Sequence, residues 1–401
     1  MKVKLLAGTG IVGMMALSGG AHAGGVAPVW HLSGNANFQA YWIDQEAVGL
    51  ISGGFSSDFF YWSPTTSVSA VNLGGPQEHD WYFGVDEAEL ELEVSGSSDN
   101  GLNYGFKIGI NANTTDEAVA DEVRLELYGR WGTLQLGDED GADNVMNYGG
   151  ETLLGGAGGY DGDHNDYLFR AGWAFFGYFS SSNAPAFPLL AGDSGDATKI
   201  TYYTPRLGGF QLGGSYTPTI NSGDNFKADT AVTDHYGVGL NFDRSFGNFR
   251  MRASAVYAAA EVDVVFGPDF TELEDIAAWS VGAIFGWGPV SIGGGYADNG
   301  ESGRLAGGYG DLYETHSTYW NAAAALELGR FYLSAGYFES VFGWSDTDPE
   351  SVYKHTTVTA DYSLAPGLAL YGEVDWIEDA VWGDSLVNET TAVILGAQVS
   401  F

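Results

Sequence analysis

The 401-residue chain has no cysteine, which excludes disulfides, thiolate metal centres, cysteine nucleophiles and a lipid-bearing cysteine. Basic residues are scarce: 15 Lys and Arg stand against 52 Asp and Glu, a net charge of −37. A chain so acidic repels phosphate backbones, so no nucleic-acid partner is expected. No stretch reaches the ~18 uninterrupted apolar residues of a membrane-spanning helix. The seven histidines are scattered, and none stands at metal-ligand spacing with another.

Aromatics and glycine, by contrast, are plentiful: 12 Trp, 23 Tyr, 23 Phe and 60 Gly. With 45% hydrophobic residues, the chain is too apolar for a disordered acidic polymer. Its N-terminus has the parts of a secretory signal. Lys2 and Lys4 precede a 13-residue, mostly apolar stretch from Leu5 to Leu17, and Ala21-His22-Ala23 supplies a cleavage site. Residues 1–23 are expected to be removed on export, leaving 24–401 as one domain.

Period-two alternation dominates the remainder. Ala88, Leu90, Leu92 and Val94 oppose Glu87, Glu89, Glu91 and Glu93; Leu32, Ala36, Phe38 and Trp42 oppose Ser33, Asn35, Asn37 and Gln39. The same pattern predicts strands near 30–43, 80–95, 101–113, 121–131, 132–138, 197–206, 208–217 and 234–243. It continues near 248–260, 276–287, 289–297, 316–328, 330–340, 352–364, 367–377 and 389–401. That is sixteen, an even number that suits a closed antiparallel sheet. Short turns alternate with long acidic loops, and aromatics recur near strand ends on the apolar face, as at a lipid–water boundary. A soluble sandwich also alternates, but it does not need sixteen strands with an apolar outer face and a polar inner one. The expected fold is all-β: a transmembrane antiparallel β-barrel of 16 strands.

Certain segments are more specific. Gly129-Arg130-Trp131-Gly132-Thr133-Leu134-Gln135-Leu136-Gly137-Asp138 resembles the G-x-[FW]-G-T-x-x-x-G-[RD] segment of general-diffusion porins of the Gram-negative outer membrane. Glu139-Asp140-Gly141-Ala142-Asp143 is similar to the alphaproteobacterial branch. Lys199-Ile200-Thr201-Tyr202-Tyr203-Thr204-Pro205-Arg206 and Gly209-Phe210-Gln211-Leu212-Gly213 resemble the family's next hairpin. Phe401 matches the C-terminal aromatic read by the barrel-assembly machinery. The resemblance implies a homotrimer in the bacterial outer membrane, in contact with its lipid and lipopolysaccharide. It also implies that the third long loop, here 139–197, folds into each lumen as a constriction. This loop departs from a compact family loop by carrying an apolar stretch at 167–180.

Pore selectivity depends on which charges face water. Basic wall candidates are Lys107, Arg124, Arg250 and Arg252. The loop offers Asp138, Glu139, Asp140, Asp143, Glu151, Asp161, Asp163 and Asp166. Acids on one side facing cations on the other would make a transverse field; the alternative is that the cations merely neutralise neighbours such as Glu126. The row Glu87, Glu89, Glu91 and Glu93 is a possible cation track or simply a wet wall. The resemblance implies a passive channel for small hydrophilic solutes, and the acidic excess predicts that it prefers cations.

Asp161, Asp163 and Asn165 have the first oxygen spacings of a calcium loop, but Asp166 and Gly172 replace the required glycine and bidentate glutamate. No cofactor is expected, calcium at this loop being the alternative. The serines of Gly192-Asp193-Ser194-Gly195-Asp196 and Gly383-Asp384-Ser385-Leu386 spell fragments of hydrolase signatures, but neither stands in a catalytic context. The rival readings are a solute-specific channel of the same architecture, a barrel hydrolase and an adhesive barrel.

Overall fold

The computed structural model describes residues 25–45, 81–85, 87–112, 120–161, 184–220, 232–263, 273–303, 316–343, 350–381 and 386–401. The export signal at 1–23 lies outside them. The first strands are β1 (Gly25–Gln45), β2 (Trp81–Gly84), β3 (Ala88–Ser98), β4 (Asn103–Asn111), β5 (Ala120–Gly129) and β6 (Gly132–Asp138). After the long loop come β7 (Thr198–Tyr203), β8 (Phe210–Thr219), β9 (Val232–Phe246), β10 (Phe249–Val262), β11 (Ile276–Trp287) and β12 (Val290–Gly300). The series ends with β13 (His316–Leu328), β14 (Phe331–Gly343), β15 (Ser351–Ala365), β16 (Leu368–Val381) and β17 (Leu386–Ser400).

Every neighbouring pair is antiparallel, and β1 pairs with β17, so the sheet closes. Closure leaves no edge, which is the condition for a sheet to lie in hydrocarbon. The seventeen segments form sixteen staves, because β2 and β3 both pair with β1 and are two halves of one strand. The sequence pattern over 80–95 reads as one unbroken strand; the structure interrupts it around 85–87. At the break Glu87 donates its N–H to Asn37 Oδ1 (2.8 Å), and its carboxylate accepts from Asn35 Nδ2 (3.0 Å). The other predicted strands are all present. Phe401 seals the seam: its N–H donates to the Gly34 carbonyl (3.0 Å), and Gly34 donates back (3.1 Å).

Alternation sorts the side chains by face. In β13, Asn321, Ala323 and Ala325 are buried on the inner side while Trp320 is exposed outside. The outer face carries exposed apolar groups such as Leu240, Val281, Ile292, Val358 and Leu395. Toward the long-loop rim, aromatics pair across strands, with ring centroids 5.0 Å apart for Tyr216–Tyr236 and 5.1 Å for Trp320–Tyr337. The short-turn rim has Phe210–Phe242 at 4.7 Å and Phe331–Tyr362 at 4.8 Å. Two aromatic belts flanking an aliphatic band match the two interfaces of a membrane. The turns between them are tight; Gly329 takes φ +64° between β13 and β14, a conformation other residues resist. Among the described residues no helix is long and apolar enough to cross a membrane.

Candidate functional site: the lumen and its docked loop

The loop that follows β6 turns inward and runs along the inner wall. Its short helical turns are α1 (Ala142–Val145) and two 3-10 turns, Gly150–Leu153 and Gly159–Asp161. Successive strands each offer it a small or polar group. The Ala142 N–H donates to Ser215 Oγ on β8 (3.1 Å), and Tyr148 N–H to Ser254 Oγ on β10 (2.8 Å). Asn147 Oδ1 accepts from Ser280 on β11 (2.8 Å), and Gly150 N–H donates to Asn321 Oδ1 on β13 (2.7 Å). Further on, Gly155 N–H reaches Ser334 Oγ on β14 (3.0 Å), Gly156 N–H reaches Asp361 on β15 (3.1 Å) and Ala157 N–H reaches Glu373 Oε2 on β16 (2.7 Å). The loop's orphan backbone donors are thus satisfied by the wall, as burial requires.

Close approach also demands missing side chains. A Cβ on Gly282 of β11 would lie 1.7 Å from the Tyr148 carbonyl oxygen, and one on Gly237 of β9 would lie 1.8 Å from Asp143 Oδ1. Met146, Leu153, Leu154 and Tyr160 are buried against Val256, Ile284 and Phe338 of the barrel interior. At the loop's root, the Lys199 ammonium donates to the carbonyls of both Glu139 and Gly195, clasping the outgoing and returning legs. The return leg is held by Ala191 N–H on Asn299 Oδ1 (2.9 Å) and by Ser340 on the Pro185 carbonyl.

The acidic candidates divide by environment. Asp138 accepts from Thr198, and Glu139 pairs with Arg124. Glu151 accepts from Asn321 Nδ2 (2.8 Å), which docks it to the wall. Asp140 and Asp143 lie at the root. Burial, reinforced by the Asp193 charge, pushes Asp140 up to about 6 and Asp143 up to about 7. Burial raises Asp193 as well. The Asp161 side chain, Asp163, Asn165 and Asp166 lie outside the described residues, and with them the calcium-loop candidate and the 167–180 stretch. Among the described residues no three acidic or histidine side chains are grouped to hold a metal. Ser194 is buried in the return leg at 2% exposure, and Ser385 lies outside the described residues.

The basic candidates fall into two groups. On β4 and β5, Lys107 pairs with Glu91 (2.9 Å) and Glu122 (2.8 Å), and Arg124 with Glu122 (3.5 Å), Glu126 (2.7 Å) and Glu139. Gln135 also donates to Glu126 (2.9 Å). With Glu89 acting on Lys107, two cations here face five carboxylates. On β10, Arg250 grips both oxygens of Asp243 (2.9 and 2.6 Å), whereas Arg252 lies over the Tyr148 ring at 5.4 Å. Of the glutamate row, Glu89, Glu91 and Glu93 lie along β3, and Glu87 sits in the strand break. The docking residues Ser254, Ser280 and Asn321 were not singled out from the sequence. Their only signal there is small or polar character at inward positions, which a wet wall shows equally.

The closed barrel has counterparts among known proteins. A family model described as Gram-negative porin matches residues 10–380. The chain belongs to the Gram-negative porin family. This porin is 25% identical over 304 residues to an uncharacterised protein of Rickettsia bellii (strain RML369-C), covering 61% of this chain and 66% of that protein. It therefore spans just under two thirds of the length of that relative. Among solved structures, an anion-selective porin from Comamonas acidovorans superposes with a TM-score of 0.59 at 15% identity, covering 93% of this chain and 100% of that one. The trimer form of OmpT, an outer membrane protein of Vibrio cholerae, gives 0.58 at 12% identity, over 94% and 100% of the two chains. These likenesses establish the common barrel. Family and fold together indicate the outer membrane as the place of the barrel.

Proposed function

We propose that this porin is a passive, water-filled, cation-preferring channel for small hydrophilic solutes, assembled as a homotrimer and exported by cleavage after Ala23. The observation that carries the preference is the wall of β3 to β6 and the loop root, where Glu89, Glu91, Glu122, Glu126 and Glu139 outnumber Lys107 and Arg124. Fixed negative charge in a confined aqueous lumen concentrates cations and excludes anions. Pairing does not cancel it, because each of the two cations is shared among several carboxylates. Trimer assembly draws on family membership and on the trimer form of the Vibrio cholerae barrel.

The test is single-channel recording of the refolded mature protein in a planar bilayer under a potassium chloride gradient. A cation-selective reversal potential, with conductance steps in threes, is expected. An anion-selective reversal would overturn the preference, and a correctly folded but silent barrel would overturn the channel reading. N-terminal sequencing of the protein from outer membranes checks the cleavage, which predicts Gly24 as the first residue.

A further inference from the structure

Arg252 differs from the other three basic wall candidates in the company it keeps. Lys107, Arg124 and Arg250 each hold at least one carboxylate oxygen within hydrogen-bond distance. The guanidinium of Arg252 has no carboxylate partner among the described residues. Its register partner on β9 is Asp243, yet both oxygens of that carboxylate are taken by Arg250. Among the described residues, the ionisable groups that act on Arg252 most strongly are Arg250, Tyr148, Asp243 and Tyr332: a second guanidinium, one carboxylate already held by Arg250, and two phenols. Among these described groups one positive charge is left over. Arg252 shares the inner face of β10 with Ser254, whose hydroxyl accepts from the loop, so the surplus charge is presented inside the barrel. The Tyr148 ring, buried to 8% exposure and fixed by that same hydrogen bond, supports the guanidinium from one side. A planar donor fork with one face occupied and its N–H groups unspent is shaped for an oxyanion.

We infer that Arg252, seated on Tyr148 of the docked loop, is a binding point for the carboxylate of small organic acids that cross this porin. The inference deepens the channel reading and rests on it. In a lumen otherwise dominated by carboxylates, such a site selects solutes that carry their own carboxylate from simple inorganic anions, because the fork matches two oxygens and not one. The loop is part of the site, so solute recognition and loop docking share Tyr148.

Gluconate is the probe. Added to potassium chloride, it should reduce single-channel conductance saturably in the wild type, and calorimetry on the folded protein in detergent should give a matching affinity. Arg252→Gln should weaken that affinity about tenfold, the scale of one charge-assisted contact. Arg252→Lys should retain part of it. Tyr148→Leu, which keeps the charge, should weaken it about threefold. Unsaturable gluconate, or equal affinity in the wild type and Arg252→Gln, would overturn the site. If Arg252→Gln does not fold, the Lys and Leu variants decide: affinity unchanged in both would overturn the site equally. A silent wild-type barrel that still binds gluconate through Arg252 would sink the channel reading and keep the site. An open channel with no gluconate binding would do the reverse.

Discussion

The two sides of the lumen are built on different principles. From β8 to β16 the inner wall receives the loop on serines, asparagines and glycines, with Asp361 and Glu373 at its far end. From β3 to β6 the inner wall carries glutamates threaded by Lys107 and Arg124. One wall spends its polar groups on the protein's own backbone; the other keeps them charged. Acidity alone therefore does not identify a pore-lining group. Glu151 and Asp143 are loop acids, yet one is docked to Asn321 and the other is buried at 2% exposure. The carboxylates that remain beside cations lie mostly on strands.

The largest effect is expected from breaking the covered wall. Gly282→Val would drive a side chain into the Tyr148 carbonyl, and overpacking of this kind costs about 1–3 kcal/mol. The loop should leave the wall, and limited proteolysis within 139–197 should accelerate about tenfold or more while the barrel stays folded. Unchanged cleavage would mean that the docking contacts are dispensable. The charged wall is tested by changing Glu89, Glu91 and Glu122 together to Gln, with a fall of about threefold expected in the cation-to-anion permeability ratio. An unaltered reversal potential would move the source of selectivity elsewhere.

The root of the loop sharpens the comparison through pH. Burial raises the Asp140 and Asp143 carboxyls, so the folded root fits their protonated forms. Their stabilising effect is complete below the ordinary carboxylate range and fades as pH rises through about 6 and about 7. Asp143→Asn should therefore stabilise the protein at pH 8 by on the order of 1–2 kcal/mol, seen as a higher unfolding temperature, and do little at pH 4. A gain of equal size at both pH values would sink the account. The smallest effect belongs to the Arg250–Asp243 pair, whose arginine side chain is 55% exposed. Arg250→Gln should change stability by less than about 1 kcal/mol in denaturant melts.

Much of the barrel was legible because lipid enforces it. Leu90 between Glu89 and Glu91, or Trp320 before Asn321, can be read as outward and inward residues from alternation alone. The strand break at 85–87 was not, since it depends on Asn35 and Asn37 of a neighbouring strand capturing Glu87. In the lumen, the Arg124–Glu126 contact follows from two-residue spacing on one face and could be foreseen as a neutralising neighbour. The path of the loop could not. Ser254 or Asn321 looks like any wetted inward residue until the loop backbone arrives on it, and Asp143 looks solvated until Gly237 makes room for it. Arg252 stood out only as half of an i, i+2 pair; what separates it from Arg250 is the division of one aspartate between them.

The contacts that fix the loop join residues very distant along the chain: Gly156 to Asp361 across 205 positions, and Ala157 to Glu373 across 216. A nascent barrel that still lacks its last staves has nowhere to lay that segment. Docking of the loop must therefore be among the later events of assembly, following the strands that receive it and not preceding them. A stalled intermediate would be wider inside than the finished protein and would leave residues 139–161 open to periplasmic proteases.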